Sequence, residues 1–312
     1  MTSNMRATMA RRKSILVIAN GKNADDPRLQ EALAAARRQG HRIELRVTRG
    51  PGDVVRFVSE EADRPWNIIV AAGGDGSINE VLNAILTGGL SPEPSLAILP
   101  LGTANDFAKG CGIPADDPAL ALELAWDGVA RWIDVGRAND RFFINVATGG
   151  FGAEVAASTP HTAKKMLGGL AYAVTGLLKA LSITPYHARL ITPDEQWEGN
   201  VIVFTVGNGR QAGGGVPVAP KAAIDDGLLD LMVIHDAGLL QSGRVLSELR
   251  DVEADDNRYL FYRQVPSLTL EFDQTLRLDV DGEPIYDNRF RFEVLPRRLK
   301  ILLPAETPLS WR

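Results

Sequence analysis

The stretch that decides the fold is Trp66–Ser77, WNIIVAAGGDGS, in which an apolar run ends in three glycines placed around an aspartate. A short, continuous apolar run is typical of a strand that is buried on both faces of a parallel sheet. Ser77–Leu86 follows with a helical pattern, so the glycines fall in the turn between a strand and a helix. Ligands bind at the carboxyl ends of strands in open α/β sheets, and this turn is therefore the first candidate for a binding site.

Strands and helices alternate on both sides of this stretch. Apolar or alternating runs predict strands and periodic runs predict helices at these positions: strands Ser14–Asn20, His41–Thr48, Trp66–Ala72 and Ser95–Pro100, and helices Pro27–Gly40, Asp53–Asp63 and Ser77–Leu86. Helices between strands imply parallel pairing with right-handed crossovers, hence an open, Rossmann-like α/β sheet. Because His41–Thr48 alternates charged and apolar residues, we expect it at an edge of that sheet.

The second half of the chain, from about Arg131, is rich in predicted strands. They are Arg131–Arg137, Phe142–Ala147, His187–Thr192, Asn200–Val206, Leu228–His235, Leu268–Phe272, Leu276–Asp281 and Arg289–Leu295. Two candidate helices, Thr162–Leu181 and Leu239–Arg250, interrupt this series. The pattern predicts a second, β-rich domain.

The length of 312 residues fits two domains of about 150 residues each. We predict an α/β domain over residues 1–135 and a β-rich domain over residues 136–296, with a cleft between them. The extreme C-terminal segment 297–312 is a candidate to pack back on the first domain. Its apolar run Leu299–Leu303 fits either domain.

Composition excludes several classes of protein. A net charge of -5 argues against nucleic-acid binding, which usually needs a basic face. The single cysteine, Cys111, permits neither an internal disulfide nor a cysteine metal cluster, and four scattered histidines disfavour a transition-metal site. The longest apolar-rich region, Met166–Ile183, is interrupted by Lys179 and falls short of the about 20 apolar residues of a transmembrane helix. The sequence therefore predicts a cytoplasmic protein that contacts a membrane only peripherally.

The glycine turn has the chemistry of a phosphate site. Its glycines let the backbone approach a bulky anion, and the start of the following helix favours negative charge. Asp75 lies in the middle of the turn, where a carboxylate about 4 Å from a phosphate charge costs about 4 kcal/mol at an effective dielectric of about 20. This arrangement makes sense if Mg²⁺ lies between Asp75 and the phosphates. A plain turn is the alternative, with Ser77 as N-cap and Glu80 completing a capping box, and both interpretations can hold together.

A second polar turn follows the next predicted strand, at Leu101–Ala108 (LGTANDFA). Neighbouring strands deliver both turns to the same edge of the sheet. Thr103 or Asn105 can cap a helix there or contact a nucleotide. The usual phosphate loops G-x-x-x-x-G-K-[ST] and G-x-G-x-x-G are missing, so the pattern favours a kinase-type site that differs from the P-loop.

Several motifs resemble a known family. The motifs GGDGSINE (73–80), LPLGTANDFAKGCGIP (99–114) and DGEP (281–284) resemble the diacylglycerol-kinase catalytic family of bacterial lipid kinases and sphingosine kinases. NVATGGFGAEV (145–155), VGNGRQAGGG (206–215) and APKAAIDDGLLDL (219–231) narrow the resemblance to the YegS-like bacterial lipid kinases. The turn Asn20–Asn23 departs from the family, where many members carry Asn-Pro.

The resemblance implies a nucleotide-binding α/β domain, a β-sandwich-like lipid-substrate domain, and ATP in the cleft between them. It implies ATP contacts at Thr48, Gly73, Gly74, Asp75, Gly76, Ser77, Ile78, Asn79 and Thr103. Glu283 matches the position of the proton acceptor in that family. Without the resemblance, Asp281–Gly282 would indicate only an ordinary hairpin turn, followed by a solvated glutamate. The resemblance also implies a Mg²⁺ site formed by Ala223, Asp226 and Leu228, in a segment that on its own reads as a surface turn.

The expected activity is transfer of the γ-phosphate of ATP to a lipid hydroxyl, of phosphatidylglycerol or a diacylglycerol-like lipid, with Mg²⁺ as cofactor. We expect Asp75 to bind the metal and Glu283 to act as general base. The substrate would be reached by transient peripheral contact with the inner face of the membrane; Thr162–Leu181 and the basic residues Arg6, Arg11, Arg12 and Lys13 are candidates for that contact. A kinase of a soluble substrate such as NAD and a non-catalytic nucleotide- or lipid-binding module remain the alternatives.

Overall fold

The computed structural model describes residues 12–90, 93–150 and 185–310. The predicted helix Thr162–Leu181 and the basic residues Arg6 and Arg11 lie outside the described residues. The chain divides into two compact units. Residues 1–131 and 299–307 form the first, and residues 132–298 and 308–312 form the second.

The first unit contains every strand and helix predicted for the first half of the chain. Its strands are Ser14–Asn20 (β1), Arg42–Thr48 (β2), Ile68–Gly73 (β3) and Ser95–Pro100 (β4). Its helices are Pro27–Arg38 (α1), Asp53–Glu60 (α2), Asp75–Thr87 (α3), Asp106–Gly110 (α4) and Pro118–Asp127 (α5), with a short 3-10 helix at Gly21–Asn23. Helix α5 was not predicted, because its apolar residues run almost continuously and show no helical spacing. Its local start signal is nevertheless present: Asp117 accepts hydrogen bonds from the backbone N–H groups of Ala119 and Leu120.

Strands of the first unit pair in parallel in the order β2-β1-β3-β4. Strand β2 is the edge strand at this end of the sheet, as its alternating sequence predicted. The apolar runs of β1 and β3 are fully buried, because helices pack on them: α3 contacts both strands, α2 packs on α3, and α1 packs on α5. The carboxyl ends of four parallel strands therefore lie along one edge of this sheet.

The C-terminal tail contributes to both units. Leu299–Thr307 belongs to the first unit, where Ile301 pairs in parallel with Leu96 of β4. The Thr307 hydroxyl donates to the carbonyl of the buried Cys111 at 2.8 Å. Residues 308–310 return to the second unit.

The β-rich character predicted for the second half is confirmed. The strands are Val129–Ala138 (β5), Arg141–Phe143 (β6), Val146–Gly150 (β7), Tyr186–Ile191 (β8), Gln196–Gly207 (β9), Gln211–Ala212 (β10), Val216–Pro217 (β11), Leu229–His235 (β12), Leu260–Val265 (β13), Ser267–Val280 (β14) and Glu283–Leu303 (β15). A 3-10 turn at Leu239–Gln241 and a helix at Ser242–Glu248 (α6) occupy the second predicted helical region.

Several strands differ from their predicted bounds, and β13, at Leu260–Val265, was not predicted. Two predicted strands form one long strand, β14, with a register shift between Glu271 and Leu276 where the polar residues between them fall. The predicted strand Phe142–Ala147 is instead two strands, β6 and β7. Strand β15 is far longer than Arg289–Leu295, since it continues to Leu303.

Antiparallel pairs hold the second unit together around an aromatic core. The order β13-β12-β9-β7-β14-β15 is antiparallel throughout, and β8 pairs with both β9 and β14. Phe204 of β9, Phe272 of β14 and Phe290 of β15 lie with ring centroids 5.5–6.5 Å apart. Aromatic rings at these separations stabilise the core through ring–ring contacts, in addition to the burial of the sheet faces.

Candidate functional site

Two glycine turns of the first unit touch backbone to backbone. The Leu101 N–H donates to the Gly73 carbonyl at 2.9 Å. A Cβ atom on Gly102 would lie 2.4 Å from the Cα atom of Gly74, and one on Gly74 would lie 3.2 Å from the Cα atom of Gly102. The predicted neighbouring turns therefore do meet; a Cβ atom on Gly102 cannot be placed without a shift of the Gly74 backbone, and one on Gly74 would be in tight contact.

Asp75 joins the two turns through its carboxylate. Its oxygens accept hydrogen bonds from the backbone N–H groups of Asp106 and Phe107, both at 3.2 Å, where helix α4 begins. Asn105, which precedes that helix, has a positive φ of 51° and no capping side-chain bond. Asp75 therefore caps α4 from the neighbouring turn. A carboxylate oxygen has more than one acceptor site, so this role leaves acceptor capacity for a metal or its water.

Burial raises the pKa of the Asp75 carboxyl, and the charge of Asp106 raises it further. The N–H donors of Phe107 and Asp106 act in the opposite direction. The ionised form of Asp75 is thus destabilised by its surroundings. A bound cation would relieve that cost, because an opposite charge favours the ionised form.

The capping roles that the sequence suggested are wrong. Helix α3 begins at Asp75, and the Ile78 N–H already donates to the Gly74 carbonyl, so Ser77 lies inside the first turn instead of before it. The Ser77 hydroxyl accepts a hydrogen bond from the Asn20 amide at 3.4 Å. A Cβ atom on Gly73 would lie 2.4 Å from that hydroxyl oxygen, so Ser77 folds back over the glycine.

Asn105 closes the second turn instead of capping the helix. Its amide oxygen accepts from the Gly102 N–H and its amide nitrogen donates to the Gly102 carbonyl, both at 2.9 Å. This reciprocal pair holds Asn105 back against the turn. Thr103 does not cap the helix either, because Asp75 accepts the helix N–H groups; Thr103 is exposed.

The remaining predicted nucleotide residues lie at or beside the same edge. Thr48, at the end of β2, is half-buried and is paired in register with Asn20 at the end of β1. A Cβ atom on Gly21 would lie 2.5 Å from the Thr48 carbonyl oxygen, so the two strand ends are also in close backbone contact. Ile78 and Asn79 are fully buried. Their side chains are part of the packing of the first unit.

We expect Gly102→Ala to destabilise the first unit and to weaken nucleotide binding. The added methyl group must displace the Gly74 backbone, and overpacking of this kind typically costs about 1–3 kcal/mol. Denaturant unfolding and nucleotide titration measure the two effects. Gly50→Ala is the matched control, since no atom of the residues that the structure describes lies within 4 Å of a Cβ placed there. Equal unfolding free energies for the two variants would contradict the contact between the turns.

The predicted catalytic glutamate follows a two-residue hairpin in the second unit. Val280 of β14 pairs with Glu283 of β15, and the turn residues Asp281 and Gly282 both have positive φ, 50° and 93°. These values are typical of a type I′ turn. Direct pairing places the side chains of Val280 and Glu283 on the same face of the hairpin. Glu283 is half-buried, not fully solvated as an isolated hairpin would leave it.

Asp281 is a polar residue that sequence reasoning did not single out. It is buried, and its carboxylate accepts hydrogen bonds from the N–H groups of Ile144, Asn145 and Val146 at 2.8, 3.1 and 2.9 Å. These bonds fix the hairpin to the connection between β6 and β7, which explains why the predicted strand there is interrupted. The only signal in the sequence was the aspartate of the DGEP motif.

The predicted metal loop, Ala223–Leu228, contains a buried carboxylate oxygen that no described residue contacts through a hydrogen bond. Oδ1 of Asp226 accepts from the Leu228 N–H at 3.0 Å, while Oδ2 is buried and has no hydrogen-bond partner among the described residues. Burial raises the pKa of Asp226, and the charges of Asp134 and Asp225 raise it further. A buried acceptor left unsatisfied is costly, and an oxygen of this kind suits a hard cation. The loop residues therefore fit the predicted ion.

Among the described residues, no group of three or more histidine, cysteine, aspartate or glutamate side chains is arranged to hold a metal ion. The predicted ligand set is of a different kind, because Ala223 and Leu228 would contribute only backbone carbonyls. Asp134, which sequence reasoning missed, lies against this loop: its Oδ2 accepts from the Gly227 N–H at 2.6 Å. The sequence signal that could have identified Asp134 is its position as a single aspartate within the apolar run of β5.

Two family models cover most of the chain. Residues 14–138 match the diacylglycerol kinase catalytic domain, and residues 145–303 match the YegS C-terminal NAD kinase beta sandwich-like domain. The chain is 43% identical over 300 residues to a Pseudomonas aeruginosa protein called "Probable lipid kinase YegS-like", covering 95% of this chain and 96% of that protein. A Chromohalobacter salexigens protein of the same description is 40% identical over 294 residues, 94% of each chain.

Solved structures agree with these matches. The fold is similar to the crystal structure of a "putative diacylglycerol kinase" from Bacillus anthracis, with a TM-score of 0.77, 25% identity, and coverage of 94% of this chain and 96% of that one. A chain with these two domains is a lipid kinase. It belongs to the YegS-like family of lipid kinases, as its motifs predicted.

No helix among the described residues is both long enough and apolar enough to cross a membrane.

Proposed function

We propose that this lipid kinase transfers the γ-phosphate of ATP to a hydroxyl group of phosphatidylglycerol or of a diacylglycerol-like lipid. The observation that carries the proposal is the backbone contact between the turns at Gly73–Ser77 and Leu101–Asp106, beside the carboxyl ends of parallel strands. Glycine-lined backbone next to the start of a helix admits phosphate groups closely. The family assignment favours a lipid acceptor over a soluble one such as NAD, and catalysis over a binding module.

The first unit would bind the nucleotide. Its parallel strand order supports reading it as a Rossmann-like domain, and we retain residues 1–135 as the nucleotide domain and 136–296 as the lipid-substrate domain. The change from the first matched family model, which ends at residue 138, to the second, which begins at residue 145, lies close to that division. We place ATP contacts at Thr48, Gly73, Gly74, Asp75, Gly76, Ser77, Ile78, Asn79 and Thr103. Contacts from Ile78 and Asn79 would come from their backbones, because their side chains are buried.

Glu283 is the proposed general base. A carboxylate within hydrogen-bond reach of the lipid hydroxyl takes its proton as the oxygen attacks the γ-phosphate. The half-buried position of Glu283 on a rigid two-residue hairpin, tied down by Asp281, supports this role. Asp75 of the first unit and Glu283 of the second are the two proposed catalytic residues.

Asp75 would hold Mg²⁺ directly or through its water molecules. The bound ion supplies positive charge that offsets the charge developing on the transferred phosphoryl group. A second cation would bind the loop Ala223–Leu228 through the Asp226 carboxylate and the carbonyls of Ala223 and Leu228. The support for this second site is the unpaired, buried Oδ2 atom of Asp226.

The substrate would be reached by transient peripheral contact at the inner face of the membrane, with the protein otherwise cytoplasmic. The test is a screen for transfer of labelled γ-phosphate from Mg-ATP to vesicles of a total bacterial lipid extract, with products identified by mass. We expect one phosphorylated glycerolipid and no product from soluble NAD or sugar phosphates in parallel reactions. Phosphorylation of a soluble acceptor alone, or nucleotide binding without any transfer, would reject the proposal in favour of one of the two alternatives.

A further inference from the structure

Four hydrogen bonds join Asp281 to one short segment of the second unit, the connection between β6 and β7 at residues 144–146. The Asp281 N–H donates to the Val146 carbonyl at 3.0 Å, and its carboxylate accepts the N–H groups of all three residues at 2.8–3.1 Å. Oδ1 accepts from Asn145 and Val146, and Oδ2 accepts from Ile144. Asp281 is 7% exposed, so water competes little for these bonds. Hydrogen bonds to an ionised carboxylate are about twice as strong as neutral ones, so the attachment is strong.

The turn itself does not require a charged residue. Asp281 and Gly282 both have positive φ, and Asn-Gly is favoured in a type I′ turn as much as Asp-Gly is. A carboxylate has two oxygens that only accept hydrogen bonds, whereas an amide offers one oxygen and one NH₂ donor. The three converging N–H groups therefore account for the aspartate, and the turn does not.

The connection that holds Asp281 is anchored on its other side. The Asn145 carbonyl accepts the N–H groups of Asn208 and Gly209, both at 2.8 Å. The side-chain amide of Asn208, which is fully buried, donates to the Ile144 carbonyl at 2.8 Å. The residues that follow β9 therefore fix the connection, and the connection fixes the turn.

Glu283 depends directly on this turn for its direction. It is the first residue of β15, two positions after Asp281, and it pairs with Val280 at the last position of β14. A shift or rotation of the turn must therefore move the Glu283 side chain before it moves any later residue of the strand. Misplacement of a reacting group by about 1 Å can cost about 10²-fold in rate.

We propose that Asp281 is the positioning residue of the general base: its carboxylate holds the hairpin so that Glu283 is presented to the acceptor hydroxyl in one orientation. This role rests on the proposed function, in which Glu283 is the base, and deepens it. Asp281 acts through Glu283 and does not itself exchange a proton with the lipid.

Asp281→Asn is the first variant to test. Asparagine tolerates the positive φ, and its amide oxygen can still accept from Asn145 and Val146, but its NH₂ group then faces the N–H donor of Ile144. With Mg-ATP and vesicles of a total bacterial lipid extract, we expect turnover to fall about 10- to 100-fold. The KM for Mg-ATP should stay within about twofold, because the nucleotide contacts are unchanged.

The double variant Asp281→Asn/Glu283→Gln distinguishes positioning from a general structural role. Correct placement of residue 283 has no value once the base is removed, so the double variant should turn over lipid within about twofold of Glu283→Gln. A structural role independent of the base predicts instead that the two losses multiply. Multiplied losses, or normal turnover of Asp281→Asn, would overturn the proposal.

Glu248→Gln is the matched control. Glu248 is also a buried carboxylate of the second unit, and it accepts the N–H groups of residues 258–260 at 2.9–3.0 Å, between α6 and the start of β13. We expect both variants to lower the midpoint of thermal unfolding and only Asp281→Asn to lower turnover. Equal losses of turnover would overturn the proposal, because the cause would then be a general loss of stability.

If Asp281→Asn does not fold, Asp281→Gly takes its place in the same comparison, since glycine adopts the positive φ and Gly-Gly also forms this turn. Near-normal turnover of Glu283→Gln alone would reject the proposed base and the positioning role together. Loss of turnover in Glu283→Gln, with none in the variant of Asp281, would reject only the positioning role.

Discussion

Glu283→Gln should lower the turnover of lipid phosphorylation by about 10²-fold or more, while ATP binding stays near that of the wild type. Glutamine keeps the size and the hydrogen-bonding oxygen of the side chain but cannot accept the proton of the lipid hydroxyl. Initial rates at saturating Mg-ATP measure turnover, and calorimetric titration measures ATP binding. Loss of turnover with unchanged ATP binding would indicate a general base, whereas a residue that contacts the nucleotide would also weaken ATP binding when it is changed.

Glu293→Gln is the matched control for this change. Glu293 lies on the same strand, β15, and its side chain, 40% exposed, pairs with Arg137 at 2.6 Å. Exposed pairs of this kind contribute about 0–1 kcal/mol, so the control should retain its turnover. Near-normal turnover of Glu283→Gln would remove Glu283 from the role of base. Equal losses in the two variants would indicate a general defect of the strand.

Asp75→Ala should abolish the use of Mg-ATP altogether. It removes both the proposed metal ligand and the acceptor for the N–H groups of Asp106 and Phe107. Because loss of a helix cap by itself costs about 0.5–2 kcal/mol, this variant alone does not separate binding from stability. Asp75→Asn does: its amide oxygen still accepts one N–H group, but the charge is gone. We expect Asp75→Asn to fold and to lose Mg²⁺-dependent ATP binding.

Asp53→Asn provides the matched control for the asparagine variant. Asp53 begins helix α2 and accepts the N–H groups of Arg49 and Gly50 at 2.7 and 3.0 Å, so it too is an aspartate that accepts two backbone N–H groups. Thermal unfolding and the Mg²⁺ dependence of ATP binding are measured for both variants. Normal Mg-ATP affinity in Asp75→Asn would show that the charge of Asp75 is not needed and that its task is to hold the two turns together.

Much of the fold follows from the periodicity of the sequence. The apolar runs of β1, β3 and β4 identify strands buried on both faces, and the alternation of Arg42–Thr48 identifies an edge. The length of β15 could not be predicted, because its sequence loses the alternating pattern near Pro296–Lys300. The backbone there continues as a strand through a residue of positive φ, Arg297, which is held by a distant aspartate, Asp134.

The candidate site was predictable in its position but not in its contacts. Two turns at neighbouring strand ends must share an edge, and the sequence placed Asp75 there. Nothing local to residues 103–106 indicated that the cap of α4 would come from Asp75, since a cap from another segment leaves no pattern in the helix's own sequence. The role of Asp281 could not be predicted for the same reason, because the three N–H groups that donate to its carboxylate lie about 135 residues away along the chain.

The contact between Gly74 and Gly102 has a consequence for engineering the donor specificity of this enzyme. Redesign by trimming, to admit an enlarged nucleotide analogue, needs a side chain that can be shortened. Here the two turns present bare backbone to each other, so there is nothing to trim. Selectivity for an unnatural donor would have to be built by adding or exchanging side chains at positions that have space, such as the exposed Thr103.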